Sequence, residues 1–289
     1  MRGGAMPLLM LPMAVLMALF FGAFAVFGFV SFLQPASGMP GYQGPLGLSN
    51  YLRFLTDPAA LAILGETIVF AIVVTLASIL LGYPLAYIMA RSPYRVVRSL
   101  LLGALVLTFL SGSINRAYGW LILLGRRGVV NDALLALGLV DRPVALVYNW
   151  TGVFIALLHF TLPYFALTVF GSIRSVPVQV EEAARDLGAG PLSTFFRITV
   201  PITVPAIISG AALVFSLAIS AFAFPLLLGG GRVRLISNYI YDQLFVAFNL
   251  PFAAASSTIF LVVAIATLCA FFWLEGAVTR RRAAKRGAA

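Results

Sequence analysis

A short run, Glu181-Glu182-Ala183-Ala184-Arg185-Asp186-Leu187-Gly188, gathers four charged side chains in a chain of which only 10% is charged. Its chemistry is recognition. Carboxylates and a guanidinium at helical spacing offer ion pairs along one edge, while Ala183 and Ala184 keep a face small enough for close approach. Catalysis has nothing comparable to draw on. No Gly-x-x-x-x-Gly-Lys-Ser/Thr loop is present to cradle nucleotide phosphates, and Gly229-Gly230-Gly231-Arg232 lacks both the lysine and the following helix signal. There is no His-Glu-x-x-His pair, paired cysteine set or nucleophile elbow, so no catalytic and no metal-ligating residue is nominated. Cys269 stands alone, which excludes an intramolecular disulfide, and reads as a small packing residue.

Glu66, Arg116 and His159 are ionisable groups in apolar runs, where a charge is costly and faces water or a partner. Glu66 and Arg116 are candidates for lining a passage by position. For Arg116 the stronger reading is structural, pairing with an acid or with backbone carbonyls at a helix break. For His159 it is a helix-to-helix hydrogen bond rather than a proton relay.

The charged run needs a scaffold, and local signals supply one. Ser175 is placed to cap a helix, Pro177 to sit near its first turn, and Gly188 to stop it. Pro191 to Pro201 reads as a second short helix ending before Pro201, so that the loop forms a rigid knob. On either side the chain is built for lipid. With 62% hydrophobic residues and a mean hydropathy of +1.04 it cannot present an ordinary water-facing surface, because soluble proteins carry roughly a quarter charged residues. Six apolar runs of about 23 to 26 residues are long enough to cross a bilayer. They are Leu8 to Leu33, Thr67 to Ala90, Leu100 to Leu124, Trp150 to Ile173, Thr203 to Leu228 and Phe252 to Leu274. Ser111, Ser113, Asn115 and Arg116 interrupt the third.

With the N-terminus inside, twelve Lys and Arg fall on the inner face and six on the outer, which favours both termini in the cytoplasm. The tail Arg280-Arg281-Arg282 with Lys285 and Arg286 then fixes topology rather than binding nucleic acid. The first span is too long for a cleaved signal core and reads as an anchor, although Ala36-Ser37-Gly38 comes near a cleavage site. Gln34 to Pro58 and Gly125 to Tyr148 are outer loops, the latter with a short helix over Ala133 to Leu139. Pro84, Pro163 and Pro225 predict kinks or breaks in spans that face the protein interior. The architecture expected is all-α, integral and six-spanned.

The segment Glu182 to Gly188, followed by Ile198-Thr199-Val200-Pro201, resembles Glu-Ala-Ala-x-x-x-Gly-x9-Ile-x-Leu-Pro, with Val200 in place of leucine. That pattern marks the cytoplasmic loop of permease subunits in ATP-binding-cassette (ABC) importers of the binding-protein-dependent kind. Ile114 to Trp120, Gly125 to Asp132 and Leu227 to Gln243 are similar to segments of spermidine/putrescine-type permeases. The resemblance implies the fold of a type I ABC importer permease, with residues 1–61 as first helix and outer loop, residues 62–289 as permease core, and 174–201 as coupling loop. It assigns Glu181, Glu182, Ala183, Ala184, Arg185, Asp186 and Gly188 to ATPase coupling. The chain itself would need no cofactor, since ATP and magnesium bind a partner.

Partners implied are a second permease subunit, two copies of the ATPase and an external binding protein in a bacterial inner membrane. A polyamine cargo is the best match, with iron, phosphonate or amino-acid derivatives as alternatives. For an ammonium cargo, carboxylates and aromatic faces are the expected chemistry, which brings Asp242, Tyr239, Tyr241 and Trp120 forward, and Asn115 and Tyr118, within the permease-like segment Ile114 to Trp120, join the pathway candidates. A secondary transporter driven by an ion gradient is the competing class. It needs intramembrane acids or a proton relay, for which only Glu66, Arg116 and His159 are available.

Overall fold

A computed structural model describes residues 5–35 and 42–287. Arg2, one of the twelve cations assigned to the inner face, and the Ala36-Ser37-Gly38 run lie outside the described residues. The chain divides into two compact units, Met1–Leu64 with Tyr239–Val263, and Gly65–Asn238 with Ala264–Ala289.

The first unit contains α1 (Ala5–Val30), a two-residue antiparallel pair of β1 (Gln34–Pro35) with β2 (Tyr42–Gln43), α2 (Ser49–Thr56) and the opening of α3 (Pro58–Arg91). Polar groups fasten it where the chain leaves α1. The Asn50 amide donates to the carbonyls of Ser31 (2.9 Å) and Leu33 (2.7 Å), and the Ser31 and Tyr51 hydroxyls meet at 2.6 Å. These bonds satisfy backbone carbonyls of the turn that follows α1. Phe54 is fully buried, its ring lies 6.3 Å from that of Tyr239, and the Arg53 guanidinium stands 4.5 Å from the Phe252 ring centroid.

The second unit carries the rest of α3, α4 (Arg95–Leu110), α5 (Ser113–Leu123), α6 (Val129–Ala136), α7 (Trp150–Ser175), α8 (Val178–Asp186), α9 (Pro191–Thr194), α10 (Val200–Ile219) and α11 (Ala223–Leu228). The short α12 (Ile236–Tyr241) and the long α13 (Leu250–Gly287) take part in both units. Among the described residues five helices are long and apolar enough to cross a membrane, and a sixth is counted if α4 and α5 form one span.

Several local expectations are corrected. The run Leu100 to Leu124 is not a straight helix: α4 and α5 meet at 108° across Ser111-Gly112. The polar residues that interrupt the run mark the corner. The helix from Pro191 does not end before Pro201 but continues through a π-helical turn, Phe195–Thr199, into α10, giving one helix of 29 residues. Pro201 sits in the first turn of α10, where a proline is tolerated because the preceding wide turn accommodates its missing N–H. Pro84 and Pro163 lie inside helices that remain continuous, whereas the break near Pro225 falls at Ser220 to Phe222, just ahead of it. The outer helix covers Val129–Ala136 rather than Ala133 to Leu139, because Gly138 (φ 67°) closes its end.

Phe165 on α7 is the centre of the packing in this unit. It is fully buried, and a side chain on Gly82 of α3 or Gly210 of α10 would place its first carbon 2.7 Å or 3.0 Å from the Phe165 ring. Small residues where helices meet are the usual means of close approach in lipid, because packing there has no hydrophobic drive to rely on. Hydroxyl pairs tie the same three helices together, Ser78 to Thr161 at 3.0 Å and Tyr83 to Thr203 at 2.8 Å.

Candidate functional site

Helix α8 holds the charged run, but its start differs from the expected one. The N-cap is Pro177, and Ser175 spends its hydroxyl on the Ser172 carbonyl inside α7. The stop is as read: Gly188 has φ 86°, its N–H bonds the Arg185 carbonyl at 2.9 Å, and that of Ala189 bonds the Ala184 carbonyl at 3.0 Å. This pair of bonds closes the helix C-terminus and needs a residue that accepts positive φ.

The four charges divide into two roles that spacing could not separate. Glu181 is 2% exposed and points inward. One of its oxygens takes the Arg91 guanidinium (Nη2 at 3.0 Å, Nε at 3.1 Å) and the Thr199 hydroxyl (2.8 Å). Arg91 also donates to the Val176 carbonyl at 2.9 Å. The chain of bonds continues, since the Thr203 hydroxyl bonds the Thr199 carbonyl at 2.9 Å and meets the Tyr83 hydroxyl. Helix α8 is thus bolted to the last residue of α3 and to the π-turn that begins α10. Glu182, Arg185 and Asp186 face outward and make no ion pair among the described residues, so the expected edge pairs are not formed. Ala183 is exposed and Ala184 half-buried beside them. Leu187, which follows Asp186 directly, is 90% exposed, and Leu192 and Phe196 on the next helix are exposed as well.

Arg116 behaves as its structural reading expects. It is buried at the corner between α4 and α5, and donates to the carbonyls of Thr108, Ser111 (2.9 Å) and Phe160 (3.4 Å). The Ser111 carbonyl lies in the break itself, and the Thr108 carbonyl, in the last turn of α4, also takes the Ser111 N–H. The guanidinium also lies 5.1 Å from the Phe160 ring centroid. His159 accepts from the Trp120 indole N–H at 3.2 Å, joining α7 to α5, so the helix-to-helix bond is present.

Among the pathway candidates, Asn115 and Tyr118 are exposed on α5, and Trp120 is engaged with His159. Tyr239 and Asp242 belong to the first unit. There Tyr239 packs against Phe54 and Phe252, and burial, reinforced by Asp57, pushes its hydroxyl above the ordinary phenol range, with Arg53 opposing. Asp242 opens a π-helical turn, Asp242–Val246. Among the described residues no group of three or more His, Cys, Asp or Glu is placed to hold a metal ion.

Four residues that matter were not singled out from sequence. Arg91 is one, and its only signal was being the first cation after an apolar run. Thr199 occupies the variable position of the Ile198-Thr199-Val200-Pro201 segment. Tyr83 carried no signal. Asn131, the asparagine of the outer loop, is fully buried, donates to the Gly125 and Val144 carbonyls (2.9 and 3.1 Å) and accepts from the Val144 N–H (2.8 Å). It pins that loop closed.

Comparison with known proteins places these features in a family. Residues 82–283 match the family described as binding-protein-dependent transport system inner membrane component. The chain is 38% identical over 226 residues to the spermidine/putrescine transport system permease protein PotB of Escherichia coli K12, covering 78% of this chain and 81% of that one. PotB of Haemophilus influenzae is 33% identical over 253 residues, covering 88% and 87%. The fold is similar to that in the crystal structure of a bacterial ABC transporter that imports the acidic polysaccharide alginate, with a TM-score of 0.76, 19% identity, and coverage of 95% of this chain and 96% of that chain. With the family matched over most of its length and its apolar helices folded as in an importer permease, the chain belongs to the binding-protein-dependent transport system inner membrane components.

Proposed function

We propose that the chain is one of two permease subunits of a polyamine importer, in which a separate ATPase drives the spans by pushing on α8. It is a transport subunit of the bacterial inner membrane, passing that membrane several times. The observation that carries the coupling reading is the buried Glu181, clamped by Arg91 and Thr199, beneath the exposed Glu182, Ala183, Arg185, Asp186 and Leu187. Work applied to that exposed face reaches α3 and α10 through packed and hydrogen-bonded groups rather than through a flexible loop. The loop 174–201 then faces the cytoplasm, with both chain ends on that side. ATP and magnesium belong to two copies of the partner ATPase, and cargo arrives on an external binding protein. ATP stabilises one of two arrangements of the spans over the other, and cargo passes at the interface with a second, different permease subunit.

The polyamine cargo rests on the two PotB relatives named above. Ammonium groups are met by carboxylates and ring faces, which Asp242, Tyr239, Trp120 and Tyr118 supply, while Asn115 offers an amide oxygen as acceptor. Arg116 keeps its positive charge, since its guanidinium is held by neutral backbone carbonyls, and its place in the scheme is to staple the corner rather than to meet cargo. The test is uptake of labelled spermidine into vesicles holding the assembled importer. Glu182→Lys is expected to leave assembly intact and to lower uptake and binding-protein-stimulated ATP hydrolysis together. Normal uptake by that variant refutes the coupling role. Receptor-binding measurements across polyamines, phosphonates and ferric ion test the cargo separately.

A further inference from the structure

Glu66 is an exposed carboxylate that makes no hydrogen bond or ion pair among the described residues, and the coupling scheme gives it no work. It heads a groove of about 510 Å³ between α3 and α7, otherwise lined almost wholly by apolar side chains. Val69, Phe70 and Val73 continue from Glu66 at three-, four- and seven-residue spacing, which places all four on one helix face. Trp150 and Phe154 form the facing wall, with Trp150 packed on Phe70 at 5.1 Å. The walls are open to the surroundings, since Val69 is 61% and Val73 45% exposed.

Depth decides what the groove can hold. Glu66 immediately precedes the apolar run Thr67 to Ala90, at the opposite end from Arg91. That run is about 36 Å of helix, close to the thickness of a bilayer core, so Glu66 and the Trp150 indole stand at headgroup level in the leaflet away from α8. Below Glu66 the apolar track runs about 10 Å toward the membrane centre.

We propose that this groove binds a phospholipid with a primary-ammonium headgroup, Glu66 taking the ammonium and Val69, Val73 and Phe154 the upper part of an acyl chain. A single carboxylate above an apolar track is complementary to a lipid whose zwitterionic head carries one terminal ammonium outside its phosphate and whose tail is hydrocarbon. A polyamine fits poorly, because its further ammonium groups would lie along a wall that offers no second carboxylate. A neighbouring protein helix would bury Glu66 against apolar surface unless it brought its own cation. The inference is independent of the cargo.

The experiment is native mass spectrometry of the full-length protein in detergent, delipidated and titrated with phosphatidylethanolamine or phosphatidylglycerol of matched chains. The wild type is expected to bind phosphatidylethanolamine in preference. Glu66→Gln should reduce that preference about fivefold, the size of an ion pair at a wet interface. Glu66→Lys should invert it, a gain of signal that a misfolded variant cannot produce. Val73→Trp should fill the groove and lower binding of both lipids. Equal binding of the two lipids by the wild type, or an unchanged preference in Glu66→Gln, overturns the proposal. Release of the lipid by millimolar spermidine overturns it in favour of a cargo site. So does a disulfide from Val69→Cys, in a Cys269→Ser background, to a cysteine on a second permease subunit, in favour of a subunit interface.

Discussion

Removing the Glu181 carboxylate is the sharpest perturbation of the coupling scheme. Glu181 and Arg91 sit 3.0 Å apart with side-chain exposures of 2% and 13%, so solvent screens them little. At an effective dielectric of 20 that separation corresponds to about 5.5 kcal/mol of attraction, much of it offset by the desolvation of both ions. The net worth of the pair is therefore modest, but breaking it from one side is not. Glu181→Ala leaves the Arg91 guanidinium buried with only the Val176 carbonyl, and leaves the Thr199 hydroxyl without its acceptor. Losses of this kind run to about 3 to 5 kcal/mol. Thermal unfolding in detergent, followed by circular dichroism, should show a melting temperature lower by about 5 to 8 °C. Glu181→Gln keeps an oxygen for Thr199 and Arg91 and should lose about half as much. A double-mutant cycle with Arg91→Ala should return a coupling energy of at least about 1.5 kcal/mol, since the residues touch. In the assembled importer, Glu181→Ala should also lower transport per ATP hydrolysed, because α8 is no longer fastened to α3 and α10. A melting point within 1 °C of wild type, or additive effects in the cycle, would refute the argument that this pair bolts α8 to the spans.

Other substitutions probe the remaining supports. Arg116→Lys keeps the charge but not the planar fork that reaches three carbonyls, and should cost about 2 kcal/mol and speed amide exchange over residues 108–116. Gly188→Val must hold a β-branched residue at φ 86°, a strain of about 1 to 3 kcal/mol, whereas Gly188→Asn should lose less; melting temperatures of the pair check the order. Gly82→Leu drives side-chain atoms into Phe165 where even a first carbon stands at 2.7 Å, and should destabilise by about 1 to 3 kcal/mol or abolish accumulation in the membrane.

Much of this was legible before any coordinates. Composition alone required lipid as the solvent, because so few charges cannot cover a water-facing surface, and continuous apolar runs of about 23 to 26 residues then required helices, since only a helix pairs its backbone groups within such a span. The charged run, the glycine stop at Gly188 and the interrupted third span were equally visible, and each corresponds to a feature of the fold: α8, its left-handed cap and the corner at Ser111-Gly112. What local signals misjudged were boundaries. Pro201 reads as a terminator, yet a π-turn over Phe195–Thr199 carries the helix past it. Ser175 reads as a cap, yet the preceding helix claims its hydroxyl.

Residue types and their periodicity established the medium, the helical class and which segment would be polar, because those follow from transfer energies and from groups close together in the chain. Only the tertiary structure assigned the partners. Glu181 and Glu182 are adjacent and chemically identical, and nothing local says which turns inward. Arg91, ninety positions away, decides it by offering a largely enclosed cation for a carboxylate to pair with. Likewise the role of Arg116 as a staple depends on where a bent span presents its freed carbonyls, and that is a property of the folded chain.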